Sequence, residues 1–142
     1  MNILFVCTGN TCRSPMAEAI LRDKGYNGQV KSAGIFAQSG VEASGQTVHV
    51  LNEQSIQNDH QSQPLTSDLI EWADIILTMT AAHKLQIVLQ DERANDKTFT
   101  LLEYVDDGQA VDVVDPFGGS IDLYRQTYDV LDQAIERLIS KL

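Results

Sequence analysis

The chain has 142 residues, of which 43% are hydrophobic and 21% charged, values typical of a globular protein and not of a disordered one. Its net charge of −10 argues against a nucleic-acid partner, because binding DNA or RNA relies on Lys and Arg side chains. No apolar run approaches the ~18 residues needed to span a bilayer, and Met1 is not followed by a charged leader, so we expect a cytoplasmic protein without a membrane partner.

The first half of the chain alternates predicted strands and helices. Residues 2–6 (NILFV) are typical of a short strand buried on both faces of a parallel sheet. Pro15 suits the first turn of a helix, where its missing N–H is no loss, and this helix is expected to continue to residue 24. A second strand is predicted at residues 30–33 and ends at Gly34. A loop and a helix follow, at residues 35–45 and near residues 46–54.

The second half repeats this alternation and ends in a long helix. In chain order we predict a helix at residues 67–73, a strand at 74–80, a helix at 81–90, a strand at 98–101 and a long loop at 103–120. Apolar residues then recur at steps of three and four, which predicts an amphipathic helix with one face on a sheet. This stripe comprises Ile121, Tyr124, Tyr128, Leu131, Ile135, Leu138 and Leu142.

Strands that alternate with helices predict an α/β fold. We expect residues 1–142 to form a single domain with a four-stranded parallel sheet and helices on both faces. In such sheets ligands bind beyond the carboxyl ends of the strands. The segments at residues 7–14 and 103–120 both follow predicted strands, so both should open at that edge.

The segment CTGNTCR, residues 7–13, joins the first strand to the first helix, and we name it the Cys7 loop. Backbone N–H groups at a helix start lack partners within the helix and carry partial positive charge, so they bind tetrahedral oxyanions. Gly9 would allow the turn, and the guanidinium of Arg13 would bind two oxyanion oxygens. The segment is therefore predicted to be a phosphate-binding P-loop that favours the thiolate of Cys7.

The spacing between Cys7 and Arg13 has a simpler explanation, a buried cysteine at a strand end and a solvated arginine. The strand before it, the Pro15 helix after it, and Gly9, Asn10 and Ser14 make the phosphate-binding interpretation the more specific one. The chain has two cysteines, separated by four residues, which excludes a disulfide framework and falls short of a zinc site. We predict no metal.

The sequence around this loop, FVCTGNTCRSPMAE, resembles the signature of the low-molecular-weight protein tyrosine phosphatase family. The likeness continues along the whole chain through VKSAG, HQSQPLT, ADIILTMT and DPFGG. Within the family it is most similar to the bacterial protein arginine phosphatases, through Thr11 and the DPFGGS run. The resemblance implies a flavodoxin-like fold, phosphorylated protein substrates, no cofactor and a phosphocysteine intermediate.

The resemblance implies that Cys7 is the nucleophile, that Arg13 binds the phosphate and that Asp115 is the general acid. Substrate contacts are expected from Thr8, Gly9, Asn10, Thr11, Cys12, Ser14 and Phe117. Phe117 would line the rim, where an aromatic ring can stack on a phenol or a guanidinium; without the family it would be taken for a core residue. Asp106, Asp107 and Asp112 compete with Asp115 for the acid role, and we interpret them as solvated loop charges.

Several polar residues resemble the family's supports of the phosphate loop, namely Asn10, Ser32 and His60. For His60 a surface histidine in a polar loop is an equal alternative. His49 and His83 belong to no motif, and we assign them no catalytic role. Cys12 is either a small packing residue or a redox partner that captures an oxidised Cys7 as a reversible disulfide.

The substrate is predicted from Thr11, where tyrosine-selective members of the family usually carry an aliphatic residue. A hydroxyl at this position can contact the substrate nitrogen, and the acidic surface suits a cationic guanidinium. We therefore predict phosphoarginine first and phosphotyrosine second, on a protein that is a monomer. An arsenate reductase that passes its disulfide through downstream cysteines is disfavoured, since none follows Cys12, but one that uses an external thiol is not. A regulator that only binds phosphate would lack Cys7 or Asp115.

Overall fold

The structure, a computed structural model, describes residues 1–106 and 112–142. Its strands are β1 (Asn2–Cys7), β2 (Gln29–Gly34), β3 (Ile75–Thr78) and β4 (Thr98–Thr100). They form one parallel sheet in the order β2-β1-β3-β4. Its helices are α1 (Arg13–Asp23), α2 (Gly45–Glu53), α3 (Ser67–Trp72), α4 (Ala81–Gln90), α5 (Leu101–Val105) and α6 (Ile121–Lys141), with a 3-10 turn at Glu92–Ala94. The predicted four-stranded parallel α/β fold is confirmed.

The two faces of the sheet bury separate apolar cores, because successive side chains of a strand point to opposite faces. In β1, Ile3 and Phe5 pack with residues of α1, α2, α5 and α6. On the other face Leu4 and Val6 pack with α3 and α4. All four of these β1 side chains are fully buried, which explains why the strand is apolar at every position after Asn2.

The predicted stripe of the last helix lies, except at its end, in the core on the Ile3 and Phe5 face of the sheet, where α6 contacts α1, α2 and α5. From Tyr124 to Leu138 its members are buried, whereas Leu142 follows the last helical residue and is 44% exposed. The inclusion of Leu142 was therefore wrong. Ser120 caps the start of the helix, because its hydroxyl accepts a hydrogen bond from the N–H of Leu123.

The predicted loop at residues 103–120 is wrong at its start, because α5 occupies Leu101–Val105. The strand before it ends at Thr100, one residue earlier than predicted. Thr100 and Glu103 form a capping box, in which each side chain accepts a hydrogen bond from the other residue's backbone N–H. The signature T-x-x-E was present in the sequence and is the local signal for this helix.

Across the described part of the chain, no helix combines the length and the apolar character that crossing a membrane requires.

Candidate active site

The Cys7 loop lies at the carboxyl edge of the sheet, where the strand order reverses. Strand β1 pairs with β2 on one side and with β3 on the other, and Cys7 is its last residue. Helix α1 begins at Arg13, two residues before Pro15, so the loop runs directly into the helix. In open α/β sheets this crevice is the usual ligand site.

A cavity of about 220 Å³ opens above Cys7. It is lined by Cys7, Thr8, Gly9, Thr11, Cys12, Arg13, Asp115 and Phe117. The structure thus brings the proposed nucleophile, the proposed phosphate-binding arginine and the proposed acid to one cavity. Phe117 is 76% exposed and stands at the rim, so it is not a core residue.

Arg13 joins the Cys7 loop to the segment that carries Asp115. Its side chain is buried, and Nη1 donates a hydrogen bond to the carbonyl of Val113 at 2.9 Å. The N–H of Val113 in turn donates to the carbonyl of Met79, just after β3. Nη2 of Arg13 lies 3.6 Å from Oδ2 of Asp115. The guanidinium therefore positions the carboxylate at the mouth of the cavity.

Asp115 is held by its own segment as well. Oδ1 accepts a hydrogen bond from the N–H of Phe117 at 3.0 Å, and 53% of the side chain is exposed. The competing aspartates have other partners: Asp106 pairs with Arg137 at 3.2 Å, and Asp112 accepts from the N–H of Ala81. Asp107 lies outside the described residues. Of the three that the structure describes, Asp115 is the one that lines the cavity.

The sulfur of Cys7 lies 2.8 Å from Oγ of Ser14. Asn10 Nδ2 donates a hydrogen bond to the same Ser14 oxygen at 2.8 Å. The orientation of that amide is fixed, because Oδ1 of Asn10 accepts from the backbone N–H of Gln63. Since Ser14 Oγ accepts from Asn10, its own proton is free to be donated to the sulfur of Cys7.

Asn10 ties the loop to its surroundings through further hydrogen bonds. Nδ2 also donates to Oγ of Ser32 at 2.9 Å, and Ser32 donates to Glu18 at 2.6 Å. His60 Nε2 donates to the carbonyl of Asn10 at 2.7 Å. Ser32 and His60 therefore both form hydrogen bonds with Asn10 of the Cys7 loop. Glu18 and Gln63, which sequence reasoning missed, belong to the same network.

The expectation that Gly9 supplies the turn was wrong. The left-handed conformation falls on Asn10, with a φ of 57°, and a Cβ at Gly9 would meet only Thr11 Oγ1, at 3.8 Å. Asparagine tolerates this region better than most residues. Close packing against the Cys7 loop instead requires a glycine at Gly34, where a Cβ would lie 2.6 Å from the carbonyl oxygen of Thr8.

His83, which we had assigned no role, lies beside the Cys7 loop. Its Nε2 is 2.8 Å from Oγ1 of Thr8. Burial, followed by the positive charge of Arg13, lowers the pKa of His83 to about 4, so the ring is neutral at pH 7. Its position in the first turn of α4, after the carboxyl end of β3, was the available signal.

Cys12 is buried in the wall of the cavity next to α2 and α6. Its sulfur is 3.5 Å from the hydroxyl of Tyr124 and 3.6 Å from that of Ser44. Burial, and then the hydrogen bond with Cys12, raises the pKa of Tyr124 to about 12. Both cysteines are free thiols, so the structure shows the reduced state.

The arrangement suits covalent chemistry on a phosphoryl group. A buried guanidinium and the amides at a helix start attract an oxyanion, a sulfur lies beside it, and a carboxylate lies at the mouth. Among residues 1–106 and 112–142, no cluster of three or more His, Cys, Asp or Glu side chains could hold a metal ion.

Comparison with known proteins agrees with this geometry. A family model described as low molecular weight phosphotyrosine protein phosphatase matches residues 2–142. A protein-arginine-phosphatase of Bacillus subtilis (strain 168) is 50% identical, with 100% of this chain and 97% of that protein covered. The low molecular weight protein-tyrosine-phosphatase PtpB of Staphylococcus epidermidis is 39% identical, with 97% of this chain and 96% of that protein covered.

Among solved structures, a mutant of YwlE arginine phosphatase with a phosphorylated active site serine superposes with a TM-score of 0.96. It is 49% identical, and the match covers 100% of this chain and 95% of that one.

Proposed function

This chain belongs to the low molecular weight phosphotyrosine protein phosphatase family, and we propose that it hydrolyses phosphoarginine in proteins through a phosphocysteine intermediate. The observation that carries this proposal is the common cavity of Cys7, Arg13 and Asp115. The preference for phosphoarginine is supported by Thr11 in the cavity wall and by the 50% identity to an arginine phosphatase.

In the first step, the phosphoryl group binds to the amides of the Cys7 loop and to Arg13. The sulfur of Cys7 attacks phosphorus, an S–P bond forms and the P–N bond breaks. The electron pair of that bond goes to the guanidine nitrogen, which takes a proton from Asp115. The phosphorylated serine in the YwlE mutant supports an intermediate of this covalent kind.

In the second step, Asp115 accepts a proton from water as the water attacks phosphorus. The S–P bond breaks, its electron pair returns to the sulfur of Cys7, and inorganic phosphate leaves. The hydroxyl of Ser14, 2.8 Å from that sulfur, stabilises the returning negative charge. Asn10 aims the hydroxyl, since its Nδ2 donates to the Ser14 oxygen.

Turnover of two peptides of the same sequence, one with phosphoarginine and one with phosphotyrosine, tests the substrate. We expect a higher kcat/KM for phosphoarginine, and no turnover of either peptide by Cys7→Ser. The reverse preference would establish the phosphotyrosine alternative, which the PtpB relative favours. Binding without turnover by the unmodified chain would instead indicate a phosphate-binding regulator. An arsenate reductase that passes its disulfide through further cysteines of its own is disfavoured because no cysteine follows Cys12.

We also propose redox control through Cys12. Peroxide would oxidise the Cys7 thiolate to a sulfenic acid, and the thiol of Cys12 would then displace its oxygen as water to form a disulfide. A reducing thiol would restore activity. Mass spectrometry of the peroxide-treated protein should show the Cys7–Cys12 disulfide, whereas Cys7 sulfonate as the first product would contradict it. We expect a cytoplasmic monomer that acts on phosphorylated proteins and binds neither membranes nor nucleic acids.

A further inference from the structure

The pair formed by Thr8 and His83 has no part in the steps above. Thr8 is exposed and lines the cavity, whereas His83 is 7% exposed and lies beneath it in α4. The two residues are 75 positions apart in the chain, and their side chains approach to 2.8 Å. A buried polar group that contacts a cavity residue calls for a physical explanation.

The environment of His83 selects one tautomer. Its Nδ1 is buried and has no hydrogen-bond partner among residues 1–106 and 112–142. A buried N–H without a partner is rarer than an acceptor without one, so the proton of the neutral ring belongs on Nε2. Nε2 then donates to Oγ1 of Thr8, and the hydroxyl proton of Thr8 is left for another acceptor.

A bound substrate offers that acceptor. A protonated guanidine leaving group has only N–H donors, whereas the phosphoryl group has anionic oxygens. Asp115 and Phe117 line the mouth of the cavity, where the steps above put the leaving group. The hydroxyl of Thr8 belongs to the cavity wall formed by the Cys7 loop, so its proton is available to a phosphoryl oxygen bound there.

We propose that His83 is a positioning residue: it fixes Thr8 Oγ1 as an acceptor, and the Thr8 O–H then donates a hydrogen bond to a phosphoryl oxygen. The inference rests on the proposed phosphatase site but not on its preference for phosphoarginine. Because the partner of Thr8 is the phosphoryl group, this hydrogen bond should strengthen the binding of every phosphorylated substrate and of inorganic phosphate itself.

The test measures the Kd of inorganic phosphate by calorimetry and the kcat/KM for p-nitrophenyl phosphate. Thr8→Val should weaken both about tenfold, the effect of one hydrogen bond to a charged group, and Thr8→Ser should keep both. His83→Leu should lower the phosphate affinity and kcat/KM by as much as Thr8→Val does. His83→Gln, whose amide N–H can replace Nε2–H, should keep most of the wild-type values.

The double variant Thr8→Val/His83→Leu separates positioning from a general structural role. If His83 acts only through Thr8, the double variant loses no more than either single variant. His49→Leu is the matched control, since His49 is exposed on α2, away from the cavity lining, and its Nε2 lies 3.4 Å from a carboxylate oxygen of Glu53. This variant should bind phosphate as the wild type does.

Three results would overturn the proposal. The first is a loss of phosphate affinity in the double variant that equals the product of the two single losses. The others are equal losses of affinity in His83→Gln and His83→Leu, or an unchanged affinity in Thr8→Val. The calorimetric readout needs no turnover. A chain that binds phosphate through Thr8 but does not hydrolyse phosphoarginine would refute the proposed function and leave this inference standing.

Discussion

Asp115 is the residue whose proposed role depends most on the leaving group. A guanidine leaves poorly without a proton, whereas p-nitrophenolate leaves readily without one. We therefore expect Asp115→Asn to lower kcat/KM for a phosphoarginine peptide by ~10²–10⁴-fold, with a much smaller loss on p-nitrophenyl phosphate. Steady-state kinetics on the two substrates measure the difference.

Asp112→Asn is the matched control for that substitution. Asp112 belongs to the same segment, and its oxygen accepts from the N–H of Ala81, which an asparagine oxygen can also do. The control should keep both activities. Equal losses on the two substrates in Asp115→Asn would show that the carboxylate acts on binding and not as a proton donor.

Thr11 is the residue on which the substrate assignment depends. Its carbonyl accepts a hydrogen bond from the N–H of Ser44 at 2.9 Å, which fixes the backbone of this wall while the side chain lines the cavity. Thr11→Ile should therefore change the ratio of phosphoarginine to phosphotyrosine turnover by about tenfold or more toward phosphotyrosine. Thr11→Ser keeps the hydroxyl and should keep the ratio; a ratio that Thr11→Ile leaves unchanged would remove Thr11 as the determinant.

At the scale of elements, Asn10 connects the Cys7 loop to β2 and to the segment around Gln63. Asn10→Ala forces an alanine into a left-handed conformation, at a cost of about 1–2 kcal/mol, and removes the side-chain hydrogen bonds to Ser14 and Ser32. We expect the free energy of unfolding in urea to fall by about 2–4 kcal/mol and kcat to fall with it.

Asn10→Gly separates the two contributions. Glycine adopts the positive φ without strain but makes none of the side-chain hydrogen bonds. Relative to Asn10→Ala, this variant should recover about 1 kcal/mol of the free energy of unfolding, reduced by the greater conformational entropy of glycine in the unfolded chain. It should recover little of the activity. If Asn10→Gly restored full activity, the hydrogen bonds to Ser14 and Ser32 would not be what positions the loop.

Local patterns in the sequence predicted the elements and the Cys7 loop, because strand, loop and helix follow one another directly between residues 2 and 23. Contacts between distant residues could not be predicted in this way. His83 lies 75 positions from Thr8, and Tyr124 lies 112 positions from Cys12, so only the folded chain brings them together. The five-residue helix α5 was missed because it is too short for a periodic pattern.

At the scale of the whole molecule, a net charge of −10 opposes a site built to bind an anion. The local field of the loop amides and of buried Arg13 acts only at short range. Residues that flank the phosphorylated side chain of a substrate lie farther from the cavity, next to the acidic surface. Their charge should therefore determine the rate at which the substrate associates with the enzyme.

The opposition between the acidic surface and the locally positive site predicts opposite effects of salt on kcat/KM for two peptides. The peptides share one phosphorylated residue, which is flanked by acidic residues in one and by basic residues in the other. Raising the ionic strength from about 0.02 to about 0.2 M shortens the Debye length to below about 10 Å and screens the surface charge. The kcat/KM for the acidic peptide should rise and that for the basic peptide should fall, while kcat stays constant, since the cavity itself is little screened. The same salt dependence for both peptides would mean that the fields of Arg13 and the Cys7 loop, and not the net charge, determine encounter.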